Sequence, residues 1–281
     1  MAVGNSPRFR RRRLGEELRA IREAKRYTLT QLAAELGWSH TKLSRLENAK
    51  VRPDVGDVMD ILEALGVEGD LERRLINLAR QATQRGWWRA YADMPERQAG
   101  VAELESEATE IWEYSLVFVP GLLQTEEYAR VRCSDRDAFR DFTVEAAVAG
   151  RLERQRILTA EPPVKYCAVL DESVLRRATA PPDVWRRQRA RLIEMAELPN
   201  VTLRVLPFQA QMTHYAAPLN SFSIYSFSTP DDPDVVGIET ETSELHLGDD
   251  DDLARYRIVR ERIMSVALDA EESLSMIQEE L

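Results

Sequence analysis

The sequence predicts an α+β protein: an all-helical N-terminal domain followed by a larger domain of mixed helices and strands. Three observations lead to this fold class. Residues 14–84 carry apolar residues at helical spacing, interrupted by capping residues and glycines. Beyond residue 164, short runs rich in β-branched and aromatic residues lie between turn residues, as is typical of strands. Between the two parts, residues 86–100 combine aromatic residues with Pro and Gly, which indicates a domain junction.

The predicted organisation has three segments that differ in charge. They are a basic flexible arm (1–13), a helical domain (14–85) and a mixed domain (86–281). Residues 1–85 hold 17 Lys and Arg against 12 Asp and Glu, a balance of +5, whereas the rest holds 21 against 36, a balance of −15. A basic N-terminal part on an acidic chain points to a local anionic partner. Nucleic acid is the first candidate, and a solvated basic tail is the alternative.

Composition argues against several other classes of protein. No run of about 18 apolar residues predicts a transmembrane helix, and the basic N-terminus lacks the apolar segment of a secretory signal. Cys133 and Cys167 are too few for a disulfide framework, which favours reduced thiols in a cytoplasm, and no Cys/His cluster predicts zinc. The phosphate-loop, dinucleotide and nucleophile-elbow motifs are missing from the sequence, so we expect neither a cofactor nor catalysis.

A helix-turn-helix pattern follows the first predicted helix, LGEELRAIREAK. Thr28 and Gln31 have the spacing of a capping box, which satisfies backbone N–H groups at the start of a helix. Gly37 ends that helix, because glycine tolerates the left-handed backbone found there. Ser39 is then the natural N-cap of the next helix. A tight glycine turn between two short helices is the arrangement that places a second helix in the DNA major groove.

The second helix of this motif, about residues 40–48, divides into two faces. Leu43 and Leu46 point inward, and Trp38 pairs with Leu43 in a hydrophobic staple. The outward residues, which we expect to read bases, are His40, Thr41, Ser44 and Arg45.

The outward residues suit contact with DNA. Arg45 can donate two hydrogen bonds to guanine, Thr41 can offer its methyl group to thymine, and His40 can donate to guanine or to a phosphate. Further basic and amide residues are expected to contact phosphates, and these are Gln31, Lys42, Lys50, Arg52, Arg10, Arg11, Arg12 and Arg13. For each of them, the alternative is a solvated surface side chain.

Residues 14–66 resemble the phage-repressor-like (XRE) helix-turn-helix family. The match is carried by LTQLAAELGWSHTKLSRLENAK, by Arg52-Pro53 and by DVGDVMDILEALGV. The resemblance implies a lambda-repressor-like fold with base reading by His40, Thr41 and Arg45. It also implies an internal ion pair between Arg22 and Glu47 that joins the first and third helices. Ala49 departs from the family, which usually has Gly after the recognition helix.

The mixed domain is predicted to contain both helices and strands. The pattern predicts a helix over 71–84, followed by a junction in which Trp87 and Trp88 are expected to be packed. Further helices are predicted over 101–115, from 122, over 144–159, over 183–198 with Asp183 as its cap, and over about 253–268. Strands are expected at 164–170, 201–208, 220–227, 235–240 and 243–247. The acidic run 249–252 is expected to stabilise the last long helix, because negative charge is favourable at the N-terminal end of a helix dipole. Cation binding by this run is the alternative.

This second part is similar to a regulatory domain of filamentous actinobacteria, DUF5753. WWRAYAD, ELESEATEIWEYSLVFVPGLLQTEEYA, RQRIL, LDESVL and VLPF carry the resemblance. It implies a regulator that often occurs beside a small acidic protein of the DUF397 family, which acts as its modulator.

These observations predict a cytoplasmic, nucleoid-associated transcription factor that reads an inverted-repeat operator as a homodimer. Its mixed domain is expected to act through a small protein partner, through dimerisation or both. A one-component small-molecule sensor is the alternative, with 206–222 as a candidate pocket wall. An ADP-ribosyltransferase-like enzyme is a remote alternative, suggested by Glu239 and Glu241 after a Ser-rich strand. His214 and His246 have no companion at metal-ligand or triad spacing.

Overall fold

The computed structural model describes residues 7–83, 96–134, 143–212, 216–228, 234–240 and 244–279. The chain divides into two compact units, Met1–Trp87 and Trp88–Leu281. The first unit is helical and the second contains a mixed sheet with helices, so the expected α+β class is confirmed.

The first unit contains five described helices, and the second and third begin after the predicted caps Thr28 and Ser39. They are α1 (Pro7–Ala24), α2 (Leu29–Glu35), α3 (His40–Glu47), α4 (Val55–Ala64) and α5 (Asp70–Ala82). Their apolar faces form one core, whose buried members include Leu18, Leu32, Leu43, Ile61 and Leu75. Trp38 packs against the same core, as its place before α3 predicts.

The first helix begins earlier than the sequence analysis expected. Residues 7–13 belong to α1, although they fall within the segment predicted to be a flexible arm. Arg12 pairs with Glu16 at 2.8 Å, one helical turn later, and Arg13 lies 4.0 Å from Glu17 in the same way. Ion pairs with this spacing stabilise a helix, and proline suits its first turn. The expectation of a flexible arm is therefore wrong for residues 7–13.

In the described part of the second unit, six strands form one sheet in the order β3-β2-β1-β4-β5-β6. The strands are β1 (Glu110–Ser115), β2 (Lys165–Asp171), β3 (Val201–Leu206), β4 (Phe222–Ser226), β5 (Val235–Glu239) and β6 (Glu244–Leu247). β1, β2 and β3 are parallel, whereas β4, β5 and β6 join antiparallel. The helices are α6 (Glu96–Glu105), α7 (Glu126–Ser134), α8 (Val144–Arg154), α9 (Glu172–Arg176), α10 (Pro182–Ala196), α11 (Asp250–Val266) and α12 (Ala270–Glu279).

The two faces of the sheet differ in chemistry. Trp112 and Tyr114 of β1 pack in an apolar core with Leu253 and Ile263 of α11. Because side chains alternate along a strand, Glu113 belongs to the other face. In the register of the sheet, Glu113 lies beside Ser223 of β4, and Ser223 lies beside Gly237 of β5. The face away from α11 therefore carries the polar side chains of Glu113 and Ser223 on neighbouring strands, with Gly237 beside them on the next strand.

Two predicted elements of this unit need correction. The helix expected over 101–115 ends at Glu105, and Glu110–Ser115 form β1 at an interior position of the sheet. Apolar residues at helical spacing arise there by coincidence, because a strand covered on both faces also carries apolar residues on both sides. Pro181, and not Asp183, is the N-cap of α10, and Asp183 lies in its first turn.

Candidate nucleic-acid interface

The turn between α2 and α3 is built from the two caps that the sequence predicts. The Thr28 hydroxyl accepts a hydrogen bond from the Gln31 N–H at 3.2 Å, and Gln31 Oε1 accepts from the Thr28 N–H at 2.8 Å. Gly37 has a positive φ of 66°, and the Ser39 hydroxyl accepts from the Lys42 N–H at 3.1 Å. Both ends of the turn are thus fixed by local hydrogen bonds, which sets the direction in which α3 leaves it.

The inward and outward faces of α3 separate as the pattern predicts. Leu43 and Leu46 are buried, whereas His40, Thr41 and Arg45 are exposed. Ser44 is half-buried, and Asn48 Nδ2 donates to its carbonyl at 2.7 Å and to its hydroxyl at 3.3 Å. Three candidate base-reading side chains are therefore accessible, while the fourth shares its hydroxyl with Asn48.

A buried ion pair fixes the C-terminal end of α3 to α1. Arg22 Nε donates to Glu47 Oε1 at 2.7 Å, and Arg22 Nη2 donates to Glu47 Oε2 at 2.9 Å. The two side chains are only 7% and 1% exposed. The hydrogen bond to Glu47 raises the pKa of Arg22 above its ordinary value, so the guanidinium stays charged. Arg22 also donates to the Tyr27 carbonyl at 2.9 Å, which extends the support to the turn before α2.

Two further contacts at this end of α3 were not anticipated from the sequence. Arg19 Nη2 donates to Asn48 Oδ1 at 2.8 Å. Gly15 lies where α1 crosses α3, and a Cβ atom there would fall 2.3 Å from the Glu47 carbonyl oxygen. An isolated glycine inside a helical pattern is the signal that could have indicated this close approach.

The candidate phosphate contacts on α2, α3 and the loop after α3 differ in their surroundings. Gln31 and Lys50 are exposed, and Arg52 is half-buried. Lys42 pairs with Asp57 of α4 at 2.6 Å, and its ammonium lies 3.7 Å from the centre of the Trp38 ring. Lys42 would have to share or leave Asp57 in order to neutralise a phosphate.

The arginines near the start of α1 are not equivalent. Arg10 is buried, and its Nη1 donates to the Gln81 carbonyl at the end of α5 at 3.4 Å. The expectation that Arg10 contacts the DNA backbone therefore fails in this structure, because the side chain packs inside the unit. Arg11, Arg12 and Arg13 are half-buried along the same helix.

Family comparisons agree with this division of the chain. A helix-turn-helix domain model matches residues 13–75, which include all of the contacts around α3 described above. A second model, described as a domain of unknown function (DUF5753), matches residues 98–279, well over half of the chain. The chain belongs to the DUF5753 family. No curated protein and no solved structure matches it significantly. The DUF5753 resemblance is thus confirmed, and the N-terminal resemblance is confirmed as a helix-turn-helix domain.

The DUF5753 unit of this protein contains a buried polar layer on the sheet face that carries Glu113. Arg154 of α8 donates two hydrogen bonds to Glu105, at 2.7 and 2.6 Å. The Tyr166 hydroxyl donates to Glu113 Oε2 at 2.6 Å. Burial raises the pKa of Glu113 to about 7, although the hydrogen bond from Tyr166 opposes this and nearby Glu105 adds to it.

The other residues singled out from the sequence lie partly within and partly outside the described residues. Glu239 ends β5 and is exposed, whereas its proposed companion Glu241 lies outside the described residues, as do His214 and the tryptophans 87 and 88. His246 is half-buried on β6. Three of the four acidic residues in 249–252 lie in the first turn of α11. Within the described residues, no group of three or more His, Cys, Asp and Glu could hold a metal ion, and no helix is long and apolar enough to cross a membrane.

Proposed function

We propose that this DUF5753-family protein is a sequence-specific DNA-binding transcriptional regulator whose recognition helix is α3. The observation that carries the proposal is the division of α3 into a fixed face and an exposed face. Leu43, Leu46 and Glu47 hold the helix against the unit, while His40, Thr41 and Arg45 project from it. A helix presented in this way by a helix-turn-helix motif enters a major groove with its N-terminal end first.

The exposed residues of the first unit have the chemistry that contacts to bases and to phosphates require. Arg45 supplies a planar fork of donors that matches the N7 and O6 acceptors of guanine. His40 and Thr41, at the N-terminal end of α3, contact bases or flanking phosphates. Lys50, Arg52, Arg11, Arg12 and Arg13 add affinity that depends on salt and not on sequence.

In this proposal, the protein is cytoplasmic and binds an inverted-repeat operator as a homodimer. A single helix-turn-helix forms a small interface with DNA, and two-fold operators are the usual means of enlarging it. The unit 88–281 controls DNA binding through dimerisation, through a small acidic DUF397-type partner or both. In this proposal, the unit 88–281 controls DNA binding by binding a partner or a second copy of the protein, and it does not act as an enzyme.

A specific observation favours a second form of control, in which the protein is its own sensor. A cavity of about 200 Å³ lies inside the DUF5753 unit, and its lining includes the polar layer around Glu113 and Arg154. Regulators that bind a metabolite need such a cavity, because the ligand changes the balance of states through its own contacts.

Replacing Arg45 by alanine tests the recognition helix. An operator is first selected from randomised DNA with the unaltered protein, and affinities for operator and unrelated DNA are then measured at several salt concentrations. Arg45→Ala is expected to cost about 1–3 kcal/mol on the operator, since a bidentate contact to guanine is worth about that much. Binding to unrelated DNA should change little.

Arg73→Ala is the matched control, because Arg73 is an exposed arginine on α5, away from α3. It should leave the ratio of operator to non-operator affinity unchanged. An Arg45→Ala protein that kept the full ratio would disprove the assignment of α3 as the reading helix.

A further inference from the structure

The side-chain amide of Asn48 connects α1 with the outward face of α3. Arg19 Nη2 of α1 donates to Asn48 Oδ1 at 2.8 Å. Asn48 Nδ2 donates to the Ser44 carbonyl at 2.7 Å and to the Ser44 hydroxyl at 3.3 Å. Arg19 also lies 3.7 Å from the buried carboxylate of Glu47, so the same end of α3 holds its guanidinium. The amide is therefore bound on both sides.

The partners of this amide determine which way it faces. An arginine side chain has only donors, and a backbone carbonyl has only an acceptor. Arg19 can therefore face only Asn48 Oδ1, and the Ser44 carbonyl can face only Asn48 Nδ2. Rotating the amide by half a turn would place donor against donor and acceptor against acceptor. The N–H group directed at the Ser44 hydroxyl is thus fixed by contacts at two other atoms.

The orientation of the amide determines what the Ser44 hydroxyl can do. A serine hydroxyl carries one proton and two lone pairs. Because Asn48 donates to Ser44 Oγ, one lone pair is occupied and the hydroxyl proton points elsewhere. In the part of the chain that the structure describes, no protein group accepts that proton. A hydroxyl that accepts a hydrogen bond is also a better donor, because hydrogen bonds in a chain polarise one another.

The position of Ser44 places this donor on the surface that meets DNA. Ser44 follows His40 by four residues and Thr41 by three, so all three lie on one face of α3. In the major groove, guanine offers N7 and O6, thymine offers O4 and adenine offers N7 as acceptors, whereas cytosine offers only the N4 donor. A side chain that is held as a donor therefore distinguishes cytosine from the other bases.

We propose that Asn48, fixed by Arg19, is a positioning residue that holds the Ser44 hydroxyl as a hydrogen-bond donor to a base, so that Ser44 selects against cytosine at one operator position. This inference deepens the proposed function and rests on it for the contact with DNA. The orientation of the amide, in contrast, is a property of the free protein. Asn48 needs no base contact of its own, because it acts through Ser44.

The test compares base preferences along the operator for the unaltered protein, Ser44→Ala and Asn48→Asp. At one position of the contacted strand, the unaltered protein should bind cytosine about three- to tenfold more weakly than guanine or thymine, the net value of one hydrogen bond. Ser44→Ala should abolish this preference, because the hydroxyl is lost. Asn48→Asp should reverse it, since the carboxylate accepts the hydroxyl proton and leaves only lone pairs towards the DNA.

Two controls separate this effect from charge and from folding. Asn77→Asp is the matched control for the added charge, because Asn77 is an exposed asparagine on α5, and it should leave every base preference unchanged. In a protein that already carries Ser44→Ala, Asn48→Asp should change no base preference, because the residue through which it acts is gone. The melting temperature of each variant without DNA establishes that it folds.

A measurement on the free protein tests the orientation of the amide separately. Nitrogen relaxation of the Asn48 side-chain amide is expected to give an order parameter close to the value of about 0.85 that marks rigid backbone. Arg19→Ala removes one of its anchors and should lower the order parameter below about 0.6. A mobile amide in the unaltered protein would overturn the proposal whether or not an operator is found.

Two results with DNA would also overturn it. If Asn48→Asp kept the disadvantage of cytosine, Asn48 would not set the direction of the hydroxyl. If Ser44→Ala weakened binding to all sequences alike, the hydroxyl would donate to a phosphate and not to a base. Arg45→Ala on the same operator distinguishes these failures from failure of the proposed function. A loss of preference in Arg45→Ala, together with unchanged preferences in Asn48→Asp, refutes only the role of Asn48.

Discussion

The pair between Arg22 and Glu47 is the residue-scale feature on which the position of α3 most depends. Both charges are nearly excluded from water, and each oxygen of Glu47 accepts from Arg22. A buried pair of this kind contributes modestly when complete, but removal of one partner leaves an uncompensated charge. Its main effect is therefore to make any other arrangement of α1 and α3 unfavourable.

Replacing Glu47 by alanine is expected to destabilise the first unit by about 3 kcal/mol, because Arg22 loses both carboxylate hydrogen bonds while it stays buried. Urea denaturation followed by circular dichroism measures the loss. Glu23→Ala is the control, since Glu23 contacts the same guanidinium at 3.4 Å but is 62% exposed. Its effect should be small. Equal denaturation curves for Glu47→Ala and Glu23→Ala would show that the buried pair of Arg22 and Glu47 does not hold α1 and α3 together.

Residue-scale predictions from the sequence worked best where the partner is close along the chain. The Thr28 cap and the Ser39 cap follow from spacing alone, because each acts on a backbone group three residues away. The pairing of Lys42 with Asp57 could not be read in this way, since fifteen residues and a loop separate them. The burial of Arg10 has the same origin, because its partner carbonyl belongs to Gln81.

At the scale of elements, four helices of the first unit end in the same backbone motif. The residue after each C-cap has positive φ: Arg26, Gly37, Ala49 and Gly66. In each case, the next amide donates to a carbonyl five residues earlier. This is the Schellman pattern, in which glycine avoids the steric penalty of the left-handed backbone. Two of the four turns thus carry that penalty.

Replacing Ala49 by glycine is expected to stabilise the first unit by about 0.5–1 kcal/mol, because relief of the left-handed strain exceeds the added freedom of the unfolded chain. Gly37→Ala is the reciprocal control. Nothing lies within 4 Å of a Cβ at Gly37, so the cost there is purely conformational. Thermal denaturation should move in opposite directions for the two variants. A lower melting temperature for Ala49→Gly would show that the Ala49 methyl group packs favourably.

Element boundaries were hardest to predict where packing overrides local pattern. The run at 101–115 fits a helical spacing, yet the chain turns after Glu105 and enters the sheet at Glu110. β1 lies between β2 and β4, and Ile111 and Trp112, which belong to opposite faces of the strand, are both buried. Its apolar residues therefore lose the simple alternation that marks a half-exposed strand. Strands β2 to β6 were predicted correctly because their residue types and flanking turns agree.

At the scale of the whole molecule, the division into a helical part and a mixed part was readable from the sequence, but the polar layer of the second part was not. Arg154 is 49 residues from its partner Glu105, and Tyr166 is 53 residues from its partner Glu113, so only the sheet register and the helix packing bring these groups together. In a chain with 48 acidic residues, no local signal distinguishes a buried carboxylate from a solvated one. The candidate cavity could therefore be recognised only from the fold.

The buried position of Glu113 makes the stability of the second unit depend on pH. Burial raises its pKa from 4.5 to about 7, so the folded state holds a proton that the unfolded state releases. Wherever the folded state binds more protons, stability falls as pH rises. We expect the free energy of unfolding to decrease between about pH 5 and pH 8, by at most about 3 kcal/mol from this group.

Glu113→Gln isolates this contribution, because the amide keeps the acceptor for Tyr166 and does not titrate. Urea denaturation of the unaltered protein and the variant at pH 5 and pH 8 gives the difference. The variant should lose part of the pH dependence and should be the more stable of the two at pH 8. Glu261→Gln, on α11, should follow the unaltered protein. If Glu113→Gln instead reproduced the unaltered slope, the Glu113 carboxyl would have to be solvated and ionised throughout, and the polar layer would then present a full negative charge to any ligand at neutral pH.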